Sequence, residues 1–247
     1  MIESWGHGDG DADSGEDRVS DAGSVAGEPE PGTDDGGLTR AATRMVERLL
    51  DTGIDGRGPV DSAQVIADKA RTAHAGVDGA IDAVVRQHVK IAAAGGFVTG
   101  VGGLVTLPVA LPVNVAEFYL VATRMVAAIA CLRGYDLRQP EVRSAVLLAL
   151  VGADADDLLK RAGLTSSGRL AGLAAERLPG PALMVVNKGV GFRLLSQIGR
   201  KSLPRFGKAV PIVGGAVGAG IDVLLLRRIA DHARHEFPPK MALTTVP

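Results

Sequence analysis

The chain has 247 residues, 46% of them hydrophobic and 22% charged, with 33 Gly, one Cys and 3% aromatic residues. That length suffices for one domain with a full core, the lone Cys131 excludes an internal disulfide framework and a Cys-based zinc site, and so few rings argue against a nucleic-acid reader built on stacking platforms. The formal net charge of −1 hides a split: residues 1–37 carry eleven acids against Arg18 alone, or −10, which leaves +9 for the rest.

Residues 1–37 are mostly Gly, Asp, Ser, Glu and Pro, and bury too little to offset the entropy of ordering. They are expected as a disordered acidic tail ahead of a helical domain over 38–247. The acidic start lacks the basic and apolar regions of a signal peptide, so the chain is expected in the cytoplasm or on the cytoplasmic side of the cell membrane, peripheral or shallowly inserted. The tail reads either as a solubilising extension or as a decoy that occupies a basic surface of the same chain.

From Leu38 onward, apolar residues recur at three- and four-residue spacings, without the sustained alternation of a strand. The spacing predicts a helix over 38–50 that sets Met45, Val46, Leu49 and Leu50 on one side and closes near Gly53. Asp61 with Gln64 reads as a capping box that opens a second helix, to about Ala75. Asp78 caps a third, which aligns Ile81, Val84, Val85, Val89 and Ala92 and ends at Gly95-Gly96. Then Ile91–Ala116 runs 26 residues without a charge, long enough for a membrane span, but its glycines, Pro108 and Pro112 argue against a straight spanning helix. Asn114 and Glu117 read as another capping box, starting a helix over 115–133 that stops at Gly134.

Pro140 sits at the first position of a helix over 140–151, and Asp154, Asp156 and Asp157 favour a helix start by their charge, to about Ala162. A short helix within 165–180 breaks at Pro179-Gly180-Pro181. Leu158–Lys208 carries ten basic residues against Glu176 alone, and a second Gly-rich apolar run over 209–226 is interrupted only by Asp222. Gly96 with Gly100, and Gly214 with Gly218, are spaced so that two helix backbones can approach closely. The expected fold is all-α: a multi-helix bundle with two Gly-rich apolar hairpin-like segments packed together, behind the disordered acidic tail.

The blocks AAAGGFVTGVGGLVTLPVALPVNVAEF, LRGYDLRQPEVR and RKSLPRFGKAVPIVGGAVGAGIDVLLLRRIADHARHEF, within about residues 78–237, resemble the EcsC protein family. Asn114 stands where that family's pattern often has an acid, and Asp222 where it often has Asn. The resemblance implies a helical bacterial protein of undefined biochemistry, named for one encoded beside an ABC transporter. Such a transporter is the protein partner it implies, and it carries over no catalytic residue.

Acid–base groups are few. Asp222 and Glu117 sit in very apolar surroundings, and His232 and His235 share one helix with Asp231 and Glu236. These four are the catalytic candidates; no third ligand accompanies the histidines, so no metal is expected. No GxSxG elbow, SxxK, Walker A or strand-borne GxGxxG occurs, and no cofactor is expected. His74, His88 and Cys131 read as structural or surface residues. In a soluble core Asp222 would pair with Arg124, Arg227 or Arg228.

Lys188, Arg193, Arg200, Lys201, Arg205 and Lys208 are candidates for binding anionic membrane lipid, with Phe97, Leu104, Leu107, Leu111, Ile212 and Val213 as apolar contacts. Nucleic acid is the lesser reading of the same charge. Three functions stay open: a non-enzymatic membrane-associated accessory protein, a hydrolase-like enzyme acting near lipid, and a soluble helical interaction module.

Overall fold

The computed structural model describes the backbone of residues 33–101, 103–164, 170–175, 178–201 and 211–240, and their side chains except at 33–35, 95–101, 103–114, 153, 175, 197–201 and 211–218. Among the described residues all regular structure is helical, as the periodicity requires. Helix α1 (Thr33–Arg48) runs into a π-helical turn (Leu49–Ile54). After it come α2 (Ala63–Ala73), α3 (Val77–Val101), α4 (Gly103–Leu132) and α5 (Pro140–Val151). A 3₁₀ turn (Gly152–Asp154) leads to α6 (Ala155–Arg161), α7 (Leu170–Ala175), α8 (Gly180–Lys201) and α9 (Pro211–Glu236).

Helix α4 is the pillar. Val115–Leu132 is apolar enough to cross a membrane, with mean hydropathy 1.7, yet 72% of it is buried against the rest of the protein. Met125, Val126, Ala127, Ala128, Ile129 and Ala130 have no exposed surface at all, because α2, α3, α5, α9 and the π turn pack around them. The small residues let neighbours come close. At the π turn, a side chain in place of Gly53 would lie 2.9 Å from the Thr123 methyl group. Thr123 itself is satisfied by donating to the Tyr119 carbonyl at 2.6 Å.

Ion pairs fix how α3, α4 and α9 run. Arg133, just past the end of α4, meets Asp78 at the start of α3 at 3.0 Å, so α3 and α4 are antiparallel. Arg234 near the end of α9 meets Asp82, so α9 is antiparallel to α3 and parallel to α4. At the other end, Ile91 of α3, Glu117 of α4 and Asp222 of α9 line one cavity and therefore stand at one level. Beyond it all three helices continue without a charged residue: Ile91–Val101, Gly103–Ala116 and Pro211–Ile221.

Several expected boundaries shift. Residues 33–37, expected in the tail, already belong to α1, while 1–32 lie outside the described residues. Ser62, not Asp61, caps α2 by accepting from the Val65 amide at 3.2 Å. That register leaves Gln64 bonding Asp68, and Asp61 pairing with Lys69 at 2.7 Å. Helix α3 does not stop at Gly95-Gly96, since glycine ends a helix mainly by adopting positive φ and otherwise only weakens it. The Asn114–Glu117 capping box does not form because α4 is already helical from Gly103, so the amides that a cap would satisfy have carbonyl partners a turn earlier. The second Gly-rich run is one side of a helix pair rather than a hairpin, being the first half of α9.

Candidate functional site

A cavity of about 280 Å³ sits where the charge-free helix ends join the charged body. Thr52 and Val60 close it from the π-turn side, Ile91 and Ala92 from α3, and Phe118, Leu120 and Val121 from α4. Three charged groups enter this apolar surround: Glu117 and Arg124 from α4 and Asp222 from α9. Glu117 and Arg124 are seven residues apart, which puts them on one helix face about 10 Å apart along its axis. The cavity is therefore polarised. Glu117 and Asp222 stand at the level of the charge-free ends, and Arg124 leaves its helix two turns further into the body.

Two buried polar atoms of neighbouring side chains, Arg124 Nε and His88 Nε2, have no hydrogen-bond partner among the described residues; Arg124 lines the cavity and His88 does not. His88 is one turn from Ile91 and Ala92 on α3. Its Nδ1–H donates to the Val84 carbonyl at 2.8 Å, so in the neutral ring Nε2 is a bare acceptor. Burial, with the Arg124 charge beside it, holds the imidazole pKa down at about 4. Burial likewise lowers the Arg124 pKa from its usual value, against the attraction of Asp61. Arg133 Nε and His232 Nε2 are likewise buried without a protein partner, and ordered water commonly serves such atoms.

Around the cavity the surface changes character sharply. Ile91 is 42% exposed, Ile221 50% and Leu224 63%, and they stand beside exposed Lys90, Arg227 and Arg228. One step further into the body, Asp82, Arg86, Arg227, Asp231 and Arg234 interleave between α3 and α9. An apolar end, a rim of exposed aliphatic groups and a collar of cations thus follow one another along the same three helices.

The other predicted residues fall elsewhere. His232 and His235 lie at least ten residues, about 15 Å, further along α9 than Asp222, so the four catalytic candidates do not meet in one cavity. Both histidines cluster around Glu236, with His235 Nδ1 at 3.2 Å and His232 Nδ1 at 3.9 Å. Glu236 is buried and accepts the Leu170 amide at 2.8 Å, which fastens the start of α7 to α9. Among the described residues no group of three His, Cys, Asp or Glu is placed to hold a metal ion. Cys131 is buried, donating to Gln64 Oε1 at 3.1 Å, and burial raises its thiol pKa.

Of the basic candidates, Arg193 is held by Asp154 through two bonds, at 2.7 and 2.5 Å, which leaves less of its charge for an outside anion. Lys188 is exposed in a groove of about 470 Å³ between α6 and α8, beside Arg161 and Phe192. Arg200 and Lys201 end α8 and their side chains are outside the description; Arg205 and Lys208 lie outside the described residues altogether. Phe97, Leu104, Leu107, Leu111, Ile212 and Val213 are placed by their backbones on the charge-free ends of α3, α4 and α9. The cationic collar on α3 and α9 escaped the sequence reading. Its signal was Arg86 and Lys90 at i,i+4 just before the uncharged run, with Arg227-Arg228 just after the other.

Neither the curated proteins nor the solved structures yield a match to the chain. The model of the EcsC protein family matches residues 38–238, which take in all of the helical body from α1 to α9 except its first turn, and the chain belongs to that family.

Proposed function

We propose that the protein is a membrane-associated accessory protein that seats the charge-free ends of α3, α4 and α9 in one leaflet of the cell membrane, from the cytoplasmic side. The observation that carries this reading is the coincidence of those three ends with the aliphatic and cationic rim beneath them. Eleven uncharged residues on α3 and on α9 span about 16 Å, and fourteen on α4 about 21 Å. The hydrocarbon core of a bilayer is about 30 Å thick, so these ends reach through about one leaflet and do not cross. The collar of Lys90, Arg227 and Arg228 would then lie among the head groups, where each cation near an anionic surface contributes about 1 kcal/mol. A transporter in the same membrane is the partner suggested by the family name alone.

Flotation with neutral and anionic vesicles, followed by high-salt and carbonate washes, tests the reading. Binding to anionic vesicles that survives salt is expected, with Leu107→Asp or Val213→Asp releasing it. Absence from the vesicle fraction under every condition would overturn the proposal and favour a soluble interaction module.

A further inference from the structure

We infer that the cleft between α3 and α9 binds a lipid whose head group is a phosphate monoester, its phosphate held between the guanidiniums of Arg86 and Arg227. The inference rests on the membrane reading given above and names a lipid class for it. The cleft encloses about 210 Å³ and is lined by Asp82, Val85 and Arg86 of α3 and by Arg227, Asp231 and Arg234 of α9. Arg234 takes both carboxylates, reaching Asp82 with one amino group and Asp231, at 3.5 Å, with the other. Arg86 and Arg227 are exposed and enter no hydrogen bond or ion pair among the described residues. Two fork-shaped donors without an acceptor therefore line one cleft whose acids are already engaged.

Their place along the helices follows from the antiparallel pairing. Measured from the Asp82–Arg234 contact toward the uncharged ends, Arg86 leaves α3 about 6 Å on and Arg227 leaves α9 about 10 Å on. Lys90, one turn past Arg86, stands at nearly the level of Arg227. The next turn of α9 carries Leu224, 63% exposed, and the turn after it Gly220, where an added side chain would meet nothing within 4 Å. Asp222 lines the cavity toward α4 instead. From the cations toward the bilayer this side of α9 is apolar and open, as an acyl chain beside its phosphate requires.

A phosphate monoester carries about −1.5 to −2 charge at neutral pH and three terminal oxygens, enough to accept from both guanidiniums and from the Lys90 ammonium. A carboxylate has two oxygens and one charge, which a single guanidinium satisfies. A phosphodiester has one charge, and its head-group alcohol would run into the body-side end of the cleft, which Asp82, Arg234 and Asp231 fill. An ammonium there would find both carboxylates already held.

The test is flotation of the full chain with phosphatidylcholine vesicles carrying phosphatidic acid or phosphatidylglycerol, at fractions set to equal zeta potential. The expected result is about tenfold tighter binding to phosphatidic acid. Arg227 and Arg228 are adjacent and both exposed, but only Arg227 lines the cleft. Arg86→Gln and Arg227→Gln should each abolish the preference, whereas Arg228→Gln should weaken binding to both lipids alike and leave their ratio unchanged. Arg227→Lys keeps the charge and loses the fork, so it should retain phosphatidylglycerol binding without the preference. Equal binding of the two lipids by wild type would overturn the site and leave the membrane reading standing. A ratio that falls as far in Arg228→Gln as in Arg227→Gln would do the same. Absence from every vesicle fraction would overturn the membrane reading and the lipid assignment together. A thermal shift with inorganic phosphate, lost in Arg227→Gln and kept in Arg228→Gln, would then give the cleft to a soluble phosphate.

Discussion

His88 makes the stability of this fold depend on pH in a direction that the structure fixes. The ring is 1% exposed and its pKa is about 4, against 6.5 for a free histidine. As pH falls below about 6.5 the unfolded chain takes up this proton first, because only the folded chain resists it. The stabilisation is complete above pH 6.5 and is lost progressively as pH falls to about 4. At about 1.4 kcal/mol for each tenfold change in proton affinity, the loss over that window is on the order of 3 kcal/mol. Other titrating groups share the window, so the measurement is a difference between wild type and His88→Met, which fills similar volume and cannot titrate. Urea unfolding at pH 8, 7, 6, 5 and 4 should give a difference constant at the alkaline end. Wild type should then lose on the order of 3 kcal/mol relative to the variant by pH 4. Parallel profiles for the two proteins would refute the reasoning and place the His88 ring in contact with water.

Two glycines on α8 should respond oppositely to alanine. At Gly191 the new methyl would meet the Ala42 carbonyl oxygen at 2.5 Å, a backbone atom that cannot turn aside, so Gly191→Ala should lower the unfolding midpoint by about 1–3 kcal/mol equivalent. At Gly189 it meets only the tip of Leu158, and Gly189→Ala should be neutral or slightly stabilising through helix propensity. Equal midpoints for the two variants would contradict the packing of α1 on α8. Glu236→Ala strands the buried Leu170 amide, at a cost of about 1–3 kcal/mol, and hydrogen exchange should accelerate first in α7. Deleting residues 1–32 removes nine of the eleven acids of residues 1–37 and should tighten binding to anionic vesicles at low salt, with the gain fading as salt rises; unchanged low-salt binding disposes of the decoy idea.

Much of the helical body could be read from periodicity because each buried stripe repeats within a single helix. Ile81, Val84 and Ala92 on α3 are buried as the three-and-four spacing requires, and Pro140 opens α5 where its fixed φ suits the first turn. The two missed helix continuations share one cause. Gly95-Gly96, Pro108 and Pro112 are unfavourable to helix by local propensity, yet α3 and α4 are helical through them; both helices pack against α9 and each other, and tertiary contact outweighs propensity. Asp222 and Glu117 were recognisable as charges in apolar surroundings, but their meeting across α4 and α9 depends on a helix register that no local pattern encodes. His88 reads from its place on an apolar face as a structural residue, and it is buried with Nδ1–H on the Val84 carbonyl.

The end of α9 far from the cavity is riveted. Phe237 is fully buried, with its ring edge-on to Tyr135 at 5.2 Å; the Tyr135 hydroxyl donates to the Pro238 carbonyl at 3.0 Å, and the Lys240 amide donates to the Arg133 carbonyl at 3.0 Å. A rod clamped at one tip is a lever. From Phe237 to Pro211 is about 39 Å of helix, so a tilt of one degree at the clamp carries the far tip about 0.7 Å sideways. The clamp therefore helps to set the angle at which α9 leaves the charged body, and with it where the uncharged end stands.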